Sequence, residues 1–506
     1  MNVSRLASTV ASVLLTAIIT DGTTTICAFQ HPQHPQHQQT RCGGGCGGAT
    51  TIPPHPKVFQ SSSQLKRFST VLSSFSGASS LIDSSFVDFS EGASRDIAAM
   101  DKWAAACGVQ RSNGFQLIRE EEQEQQPQQQ VTPLEQSALE MNIGVGTSTV
   151  ISAGQAVLMV PNNMILSGTQ ARQEIGAVPV AEELLAKLYT AQDHLPQFYL
   201  MVQILKQYQM GPQSPWFPWL NSLPRYFSNG SSMTHFCCSE CLPPLVGNLA
   251  NQERLRFIQF FKALQFVDRN ILTESTKGNR PLVKWVFAVV YTRCIPFQGD
   301  AVIVPMADMF NHGSIRPNVE IQWDGDGNCY AVAIQDIEAG SSLRTSYGDP
   351  TNPSYLFARY GFLDESSPAT FCKIMISNPS PELLEMGYDP SRMLFYKDTG
   401  DVSQEVWDVL LYQILGDLDP AQQQVLYRAH TSGDYNTKQL LHNQYYQQTS
   451  SALLQHIDTF VNQLNALSQK TMGRDPAVHP RLPLIRRHND FVKESFLTVR
   501  SRLVGG

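Results

Sequence analysis

The chain has 506 residues, 42% hydrophobic and 16% charged, with a formal net charge of -7 and a pI near 6.0. It is too long for one ordinary core and too apolar for a disordered chain, so two or three folded domains are expected. The acidic balance, with no basic block beyond Arg486-Arg487, weighs against nucleic acid as the main partner, and ten unevenly spaced cysteines weigh against a disulfide framework.

Residues 1–28 open with a short basic start, Met1 to Arg5, and an apolar stretch from Ala7 to Thr20. A membrane-spanning helix needs about 20 apolar residues, so this stretch suits a signal peptide, with Cys27-Ala28 before a cut. Residues 29–85 begin at Phe29, are rich in His, Gln, Pro, Gly and Ser, and hold no acidic residue before Asp83. They are expected to be transit or disordered sequence. The two parts together resemble the bipartite presequences of proteins sent to complex plastids, which implies a plastid location. The secretory pathway and the cytoplasm are the alternatives. No later segment reads as a membrane span, so no membrane is expected for the mature protein.

Folded sequence is expected from Phe86. Met100 to Gly108 reads as a short helix stopped by glycine, and residues 120–130 as a Glu/Gln/Pro surface loop or insertion. Val150 to Val160 reads as strand, turn, strand, closed by Pro161; Ile337-Glu-Ala-Gly340 repeats its turn, suggesting a similar β-unit used twice. Between them a helical insert, at about 165–285, is expected from the apolar spacing of Ala181 to Tyr189, Phe198 to Tyr208 and Arg254 to Phe266. Val319, Ile321 and Trp323, then Asp324-Gly-Asp-Gly327, then Tyr330, Val332 and Ile334 spell a hairpin with one buried face. From residue 364 the pattern is helical: Val402 to Leu418, a cap at Asp419-Pro420, and a long helix through Leu453, Ile457, Phe460, Leu464 and Leu467. The expected architecture is α+β. A β-rich domain with its insert fills 86–363, an all-α domain fills 364–475, and 476–506 forms a tail.

Two segments carry chemistry: Val304-Pro-Met-Ala-Asp-Met-Phe-Asn-His-Gly313, and Thr345-Ser-Tyr-Gly-Asp349 onward through Tyr360-Gly-Phe362. Each sets polar groups beside aromatic ones. In order, after the strand-turn unit and before a helical domain, they resemble the two signature motifs of SET-domain protein methyltransferases, in the branch typified by the Rubisco large-subunit lysine methyltransferase. The resemblance covers roughly residues 90–470. It implies a β-rich SET fold, S-adenosyl-L-methionine as methyl donor, and a protein substrate docked on the C-terminal helical domain. Asn311 and His312 then fall at the cofactor-binding pair, and Tyr347 at the catalytic tyrosine that also faces the cofactor. Tyr360 and Phe362 fall on the lysine channel, with Thr292 and Arg293 shaping the transfer pore. Asp308 falls on the same wall through its backbone carbonyl, and Gly144, Val145 and Gly146 at an early Gly-x-Gly turn near the cofactor. The chain departs from the pattern at Ile143, where an acidic residue is usual, and at Gly313, where a small hydroxyl residue is usual.

Methyl transfer from a sulfonium is an in-line displacement, so the site must align a neutral nitrogen and exclude water rather than supply a metal or strong nucleophile. The expected acceptor is a lysine of a non-histone protein. A histidine acceptor on the same fold, or a silent SET-fold binding module, are the alternatives. No metal is expected. His235, Cys237, Cys238 and Cys241 lie in one short loop, whereas a zinc cage draws on at least two chain segments. The histidines at 31, 34 and 37 belong to the presequence.

Overall fold

The computed structural model describes residues 86–119, 142–187, 194–313 and 317–505. The presequence and the 120–130 tract lie outside them. Asp96 caps helix α1 (Ile97–Ala106) by accepting from the Ala99 amide, and Gly108 at φ 94° carries the chain away from its end. Strands β1 (Gln110–Arg111), β2 (Phe115–Arg119), β3 (Ile143–Thr147), β4 (Ala156–Val160) and β5 (Leu166–Ser167) precede the helical insert. Its long helices are α2 (Leu195–Gln209) and α3 (Pro244–Leu264), and α4 (Arg280–Arg293) returns the chain to strands β6 (Ile295–Phe297), β7 (Asp300–Ile303), β8 (Asn311–His312), β9 (Val319–Trp323), β10 (Cys329–Ala333) and β11 (Ser342–Thr345). Helix α5 (Pro353–Tyr360) follows, with Asn352 as its side-chain cap, proline at its start and left-handed Gly361 at its end. The C-terminal unit holds β12 (Ala369–Phe371), β13 (Leu394–Tyr396), α6 (Gln404–Leu418), α7 (Pro420–Ser432), α8 (Tyr435–Gln444), α9 (Tyr446–Thr471) and α10 (Leu482–Gly505).

Three small sheets run β1-β4-β10-β9, β2-β3-β11-β8 and β5-β7-β6. The pairing that matters most is β8 with β11. It is parallel, setting Asn311 opposite Arg344 and His312 opposite Thr345. Two segments distant in sequence thereby become neighbours. The two Ile-x-Ala-Gly turns also meet, because Ile151 and Ile337 exchange backbone hydrogen bonds of 2.9 and 2.8 Å.

Trp103, Phe198, Tyr199, Phe260, Phe287 and Tyr291 are fully buried in one core that joins the insert to the sheets. Val406, Val409, Leu453, Ile457 and Phe496 centre a second core in the helical unit. Burial of each such side chain contributes roughly 1.5–3 kcal/mol.

Several expectations need correction. The hairpin is present, but β10 lies inside its sheet, so Cys329, Ala331 and Ala333 are buried together with Val332, while Ile334 is exposed. Helix α3 starts at Pro244, ten residues before the expected Arg254, because proline suits a first helical position and the apolar face already runs through Val246 and Ala250. The C-terminal unit is helical except for an antiparallel ribbon of β12 and β13. Most of the expected tail is α10, whose Phe491, Val492, Phe496 and Val499 belong to the second core.

Candidate active site

The crossing of β8 and β11 brings the two motif segments into one aromatic cluster. The ring of Tyr347 lies 5.0 Å from Tyr360, 5.4 Å from His312 and 6.3 Å from Phe362. His312 and Phe362 are 5.8 Å apart, and Tyr360 and Phe362 6.2 Å. Gly361 makes this possible. It sits at φ 83°, and a Cβ there would lie 2.4 Å from the Asn229 amide nitrogen. Only glycine lets the chain turn so tightly that residues on both sides of it face Tyr347.

The polar groups are directed. Tyr347 donates its hydroxyl proton to the Phe310 carbonyl at 2.6 Å. Its oxygen therefore turns its lone pairs elsewhere, as an acceptor. The Tyr347 amide donates to His312 Nδ1 at 3.0 Å, so the proton of neutral His312 resides on Nε2, which faces Asp364 at 3.4 Å. Burial disfavours the Asp364 carboxylate, yet hydrogen bonds from His312 and Ser366 outweigh it and hold the group below the ordinary carboxylate range. Arg344 donates to the His312 carbonyl at 2.9 Å, and Asn318 grips β11 by accepting from the Arg344 amide and donating to the Ser342 carbonyl. Tyr360 is pushed up by burial and directs its hydroxyl toward the Tyr347 carbonyl at 3.5 Å. The turn that delivers Asn311 is strained: buried Met306 adopts φ 73° just before it.

Asp308 sits behind this cluster. Its carboxylate is fully buried and accepts from Arg293 and from Trp219 Nε1, each at 3.2 Å. Its carbonyl accepts a second contact from Arg293 at 2.5 Å. That carbonyl, expected on the pocket wall, is engaged by Arg293. Asp308 Oδ1 and Arg293 Nε keep unused hydrogen-bonding capacity. Thr292 turns its hydroxyl back onto the Ala288 carbonyl of its own helix, at 2.8 Å.

Gly144, Val145 and Gly146 are not a turn. They form the buried middle of β3, paired with β2 on one side and β11 on the other. A Cβ at Gly146 would lie 2.8 Å from Ile118 Cδ1, so the glycine serves close strand packing. Sequence reasoning missed Phe310, Asp364, Arg344, Asn318 and Trp219. Each acts through a long-range contact; Phe310 stands unremarked inside the first motif segment, and the other four stand in no distinctive pattern.

With this geometry in hand, comparison with solved structures is informative. Rubisco LSMT bound to AdoMet superposes with a TM-score of 0.50 at 14% identity, over 82% of this chain and 92% of that one. The SET domain of LSMT bound to MeLysine and AdoHcy superposes equally well, over 81% and 92%. The fold is that of a SET domain. No protein-family model matches the chain. Among curated proteins, the actin-histidine N-methyltransferase of Gallus gallus is 22% identical over 296 residues, 53% of this chain, and that of Danio rerio 23% identical over 250 residues, 44% of this chain. The chain spans 42% and 38% of the length of these relatives. In this chain the turn at Met306 and the parallel β8–β11 pairing set His312 beside Tyr347.

Proposed function

We propose that this chain is an S-adenosylmethionine-dependent protein methyltransferase. The observation that carries this reading is the cluster of His312, Tyr347, Tyr360 and Phe362 on a SET fold, with the Tyr347 hydroxyl committed to the Phe310 carbonyl. Solved relatives bound to AdoMet or AdoHcy support the choice of donor.

The residues present fit such a donor. Aromatic faces suit a sulfonium, and the buried wall of Arg293 and Asp308 retains polar atoms without partners. Asn311, His312 and the β3 backbone are the groups proposed to hold it, and when bound it supplies an electrophilic methyl group. Tyr347 presents hydroxyl lone pairs toward the incoming nitrogen. The His312–Asp364 pair fixes the backbone of Tyr347. Tyr360 and Phe362 wall the approach and exclude water, which strengthens every polar contact inside.

The acceptor is a side-chain nitrogen of a protein docked on the helical unit of α6 to α10. Lysine is the reading supported by the motif resemblance. Histidine is supported by the names of the curated relatives. The test is incubation of purified protein with methyl-labelled S-adenosylmethionine and a soluble protein extract, followed by mapping of labelled residues by mass spectrometry. Label on a protein nitrogen is expected. No label, together with no calorimetric heat on titrating the cofactor, would sink the proposal in favour of a silent binding module.

A further inference from the structure

Behind Tyr360 lies a buried charged cluster. The Arg359 guanidinium, on the last turn of α5, is 5.8 Å from the Tyr360 ring centre and 5.2 Å from that of Tyr291. Its side chain is 11% exposed, and its carboxylate neighbour, Glu253 on α3, stands off at 3.8 Å, beyond hydrogen-bond range. Glu253 is already held by Arg256 at 2.6 Å. Glu253 Oε2 and Arg359 Nε are buried without partners. Two guanidinium groups therefore share one carboxylate, and the pairing with Arg359 is the poor one.

The surroundings nonetheless hold the Arg359 guanidinium charged, well above its ordinary range, and Glu253 is the carboxylate paired with it among the described residues. Tyr291 on α4 and Tyr360 on α5 are neutral phenols, both pushed up by burial, and Tyr355 faces the same guanidinium. The Cys294 thiol beside it is also pushed up by burial. His194 is driven down to about 3 by burial and by Arg256, so it adds no charge and no compensation. Asp364 is committed to His312. A guanidinium that shares its one carboxylate with Arg256 and lies 5.8 Å from the Tyr360 ring raises the cost of bringing a second cation against that ring.

We propose that Arg359 is a specificity-determining residue: the charge it holds behind Tyr360 admits the acceptor nitrogen only in its neutral form, and so favours an imidazole over an alkylammonium side chain. The inference rests on the methyltransferase reading and narrows its acceptor. Near pH 7.5 an imidazole of ordinary pKa, about 6.5, is mostly neutral, whereas a lysine amine of pKa about 10.4 is neutral to roughly one part in a thousand.

The probes are 4-methylimidazole and n-butylammonium, which reproduce the two side chains, titrated by saturation-transfer NMR into the full chain held with S-adenosylhomocysteine. Wild-type protein is expected to prefer 4-methylimidazole by about 100-fold or more, because the neutral fractions of the two probes differ by roughly three orders of magnitude at that pH. Arg359→Met should admit n-butylammonium and erase the preference, while Arg359→Lys, which keeps the charge, should retain it. Arg359→Gln serves as a second neutral variant if the methionine protein fails to fold. Equal or inverted preference in wild type, binding of neither probe, or an unchanged ratio in the neutral variants would each overturn the role of Arg359. Calorimetry with S-adenosylmethionine on the same wild-type sample separates the two levels. No cofactor binding removes the methyltransferase reading itself, whereas binding with an inverted probe preference removes only the role of Arg359.

Discussion

Lys373 is buried, 6% exposed, and donates to the Ser354 hydroxyl at 3.1 Å with no carboxylate partner among the described residues. Burial pushes its amine down from 10.5 to about 8. The difference corresponds to about 3 kcal/mol of cost for keeping the buried ammonium charged. The folded pKa lies below the unfolded one, so between those values the unfolded chain binds more protons. Wild-type stability therefore rises with pH through the window from about 8 to 10.5, and the full cost is present below pH 8. Lys373→Met removes that cost and forfeits one hydrogen bond worth about 1 kcal/mol. The variant is expected to be more stable by about 2 kcal/mol at pH 7 and to lose this advantage by pH 10.5. Both residues would occupy the same left-handed backbone, φ 61°, so backbone strain cancels in the comparison. Urea unfolding of both proteins at pH 7, 9 and 10.5 measures the effect, and the difference between them isolates Lys373 from other titrating groups. A variant less stable than wild type at pH 7, or a difference that does not change with pH, would refute the reasoning.

Tyr347→Phe removes the hydroxyl held at the Phe310 carbonyl and is expected to lower kcat by about 100- to 1000-fold, on the scale of one lost transition-state contact, with cofactor binding by calorimetry retained; a full-rate variant would contradict its role. Gly361→Ala forces a Cβ to within 2.4 Å of the Asn229 amide at a left-handed position, so Tm should fall by an amount matching at least about 1–3 kcal/mol, and an unchanged Tm would show that the turn can shift freely. Truncation after residue 475 strips Phe491, Val492, Phe496 and Val499 from the second core, and the product should be insoluble or molten by near-ultraviolet circular dichroism. Residues 1–85 fused to a fluorescent protein should direct it to a plastid, and cytoplasmic fluorescence would dispose of that address.

The local signals were legible in the sequence wherever structure is decided locally. Asp419-Pro420 starts α7 as expected, with the Asp419 side chain accepting from the Gln422 amide. The helix spacing after Leu453 was equally plain. Local rules failed where tertiary pairing decides. Gly144-Val145-Gly146 has turn composition, but pairing on both sides makes it an inner strand. Residues after 475 were read as a tail, and only the second core shows what the apolar face of α10 covers. At the site, the residues that stand in motifs, His312, Tyr347, Tyr360 and Phe362, were readable and are brought together. Their supports were not. Asp364, Phe310 and Arg359 take their roles from contacts that no spacing encodes.

Helix α5 is where these supports converge. Lys373 donates to Ser354 on α5, at 3.1 Å. His488 Nδ1 meets the Asn489 side-chain oxygen, which only accepts, so Nδ1 carries the proton and the Nε2 atom, 3.1 Å from Ser354, must be the acceptor. Ser354 then donates to His488, and Asn489 donates onward to the Cys241 carbonyl at 2.8 Å. Each donor in this buried chain has one acceptor, and burial drives His488 down to about 3, which keeps the ring neutral as that direction requires. The chain links the entry to the helical unit, α5, α10 and the insert. The same α5 carries Arg359 and Tyr360 and ends at Gly361 against Asn229 of the insert. A protein docked on the helical unit, as proposed, would thus meet the aromatic cluster across a buried, fully directed polar seam rather than a loose hinge. Disturbing that seam should change how the acceptor is presented before it changes the chemistry at Tyr347.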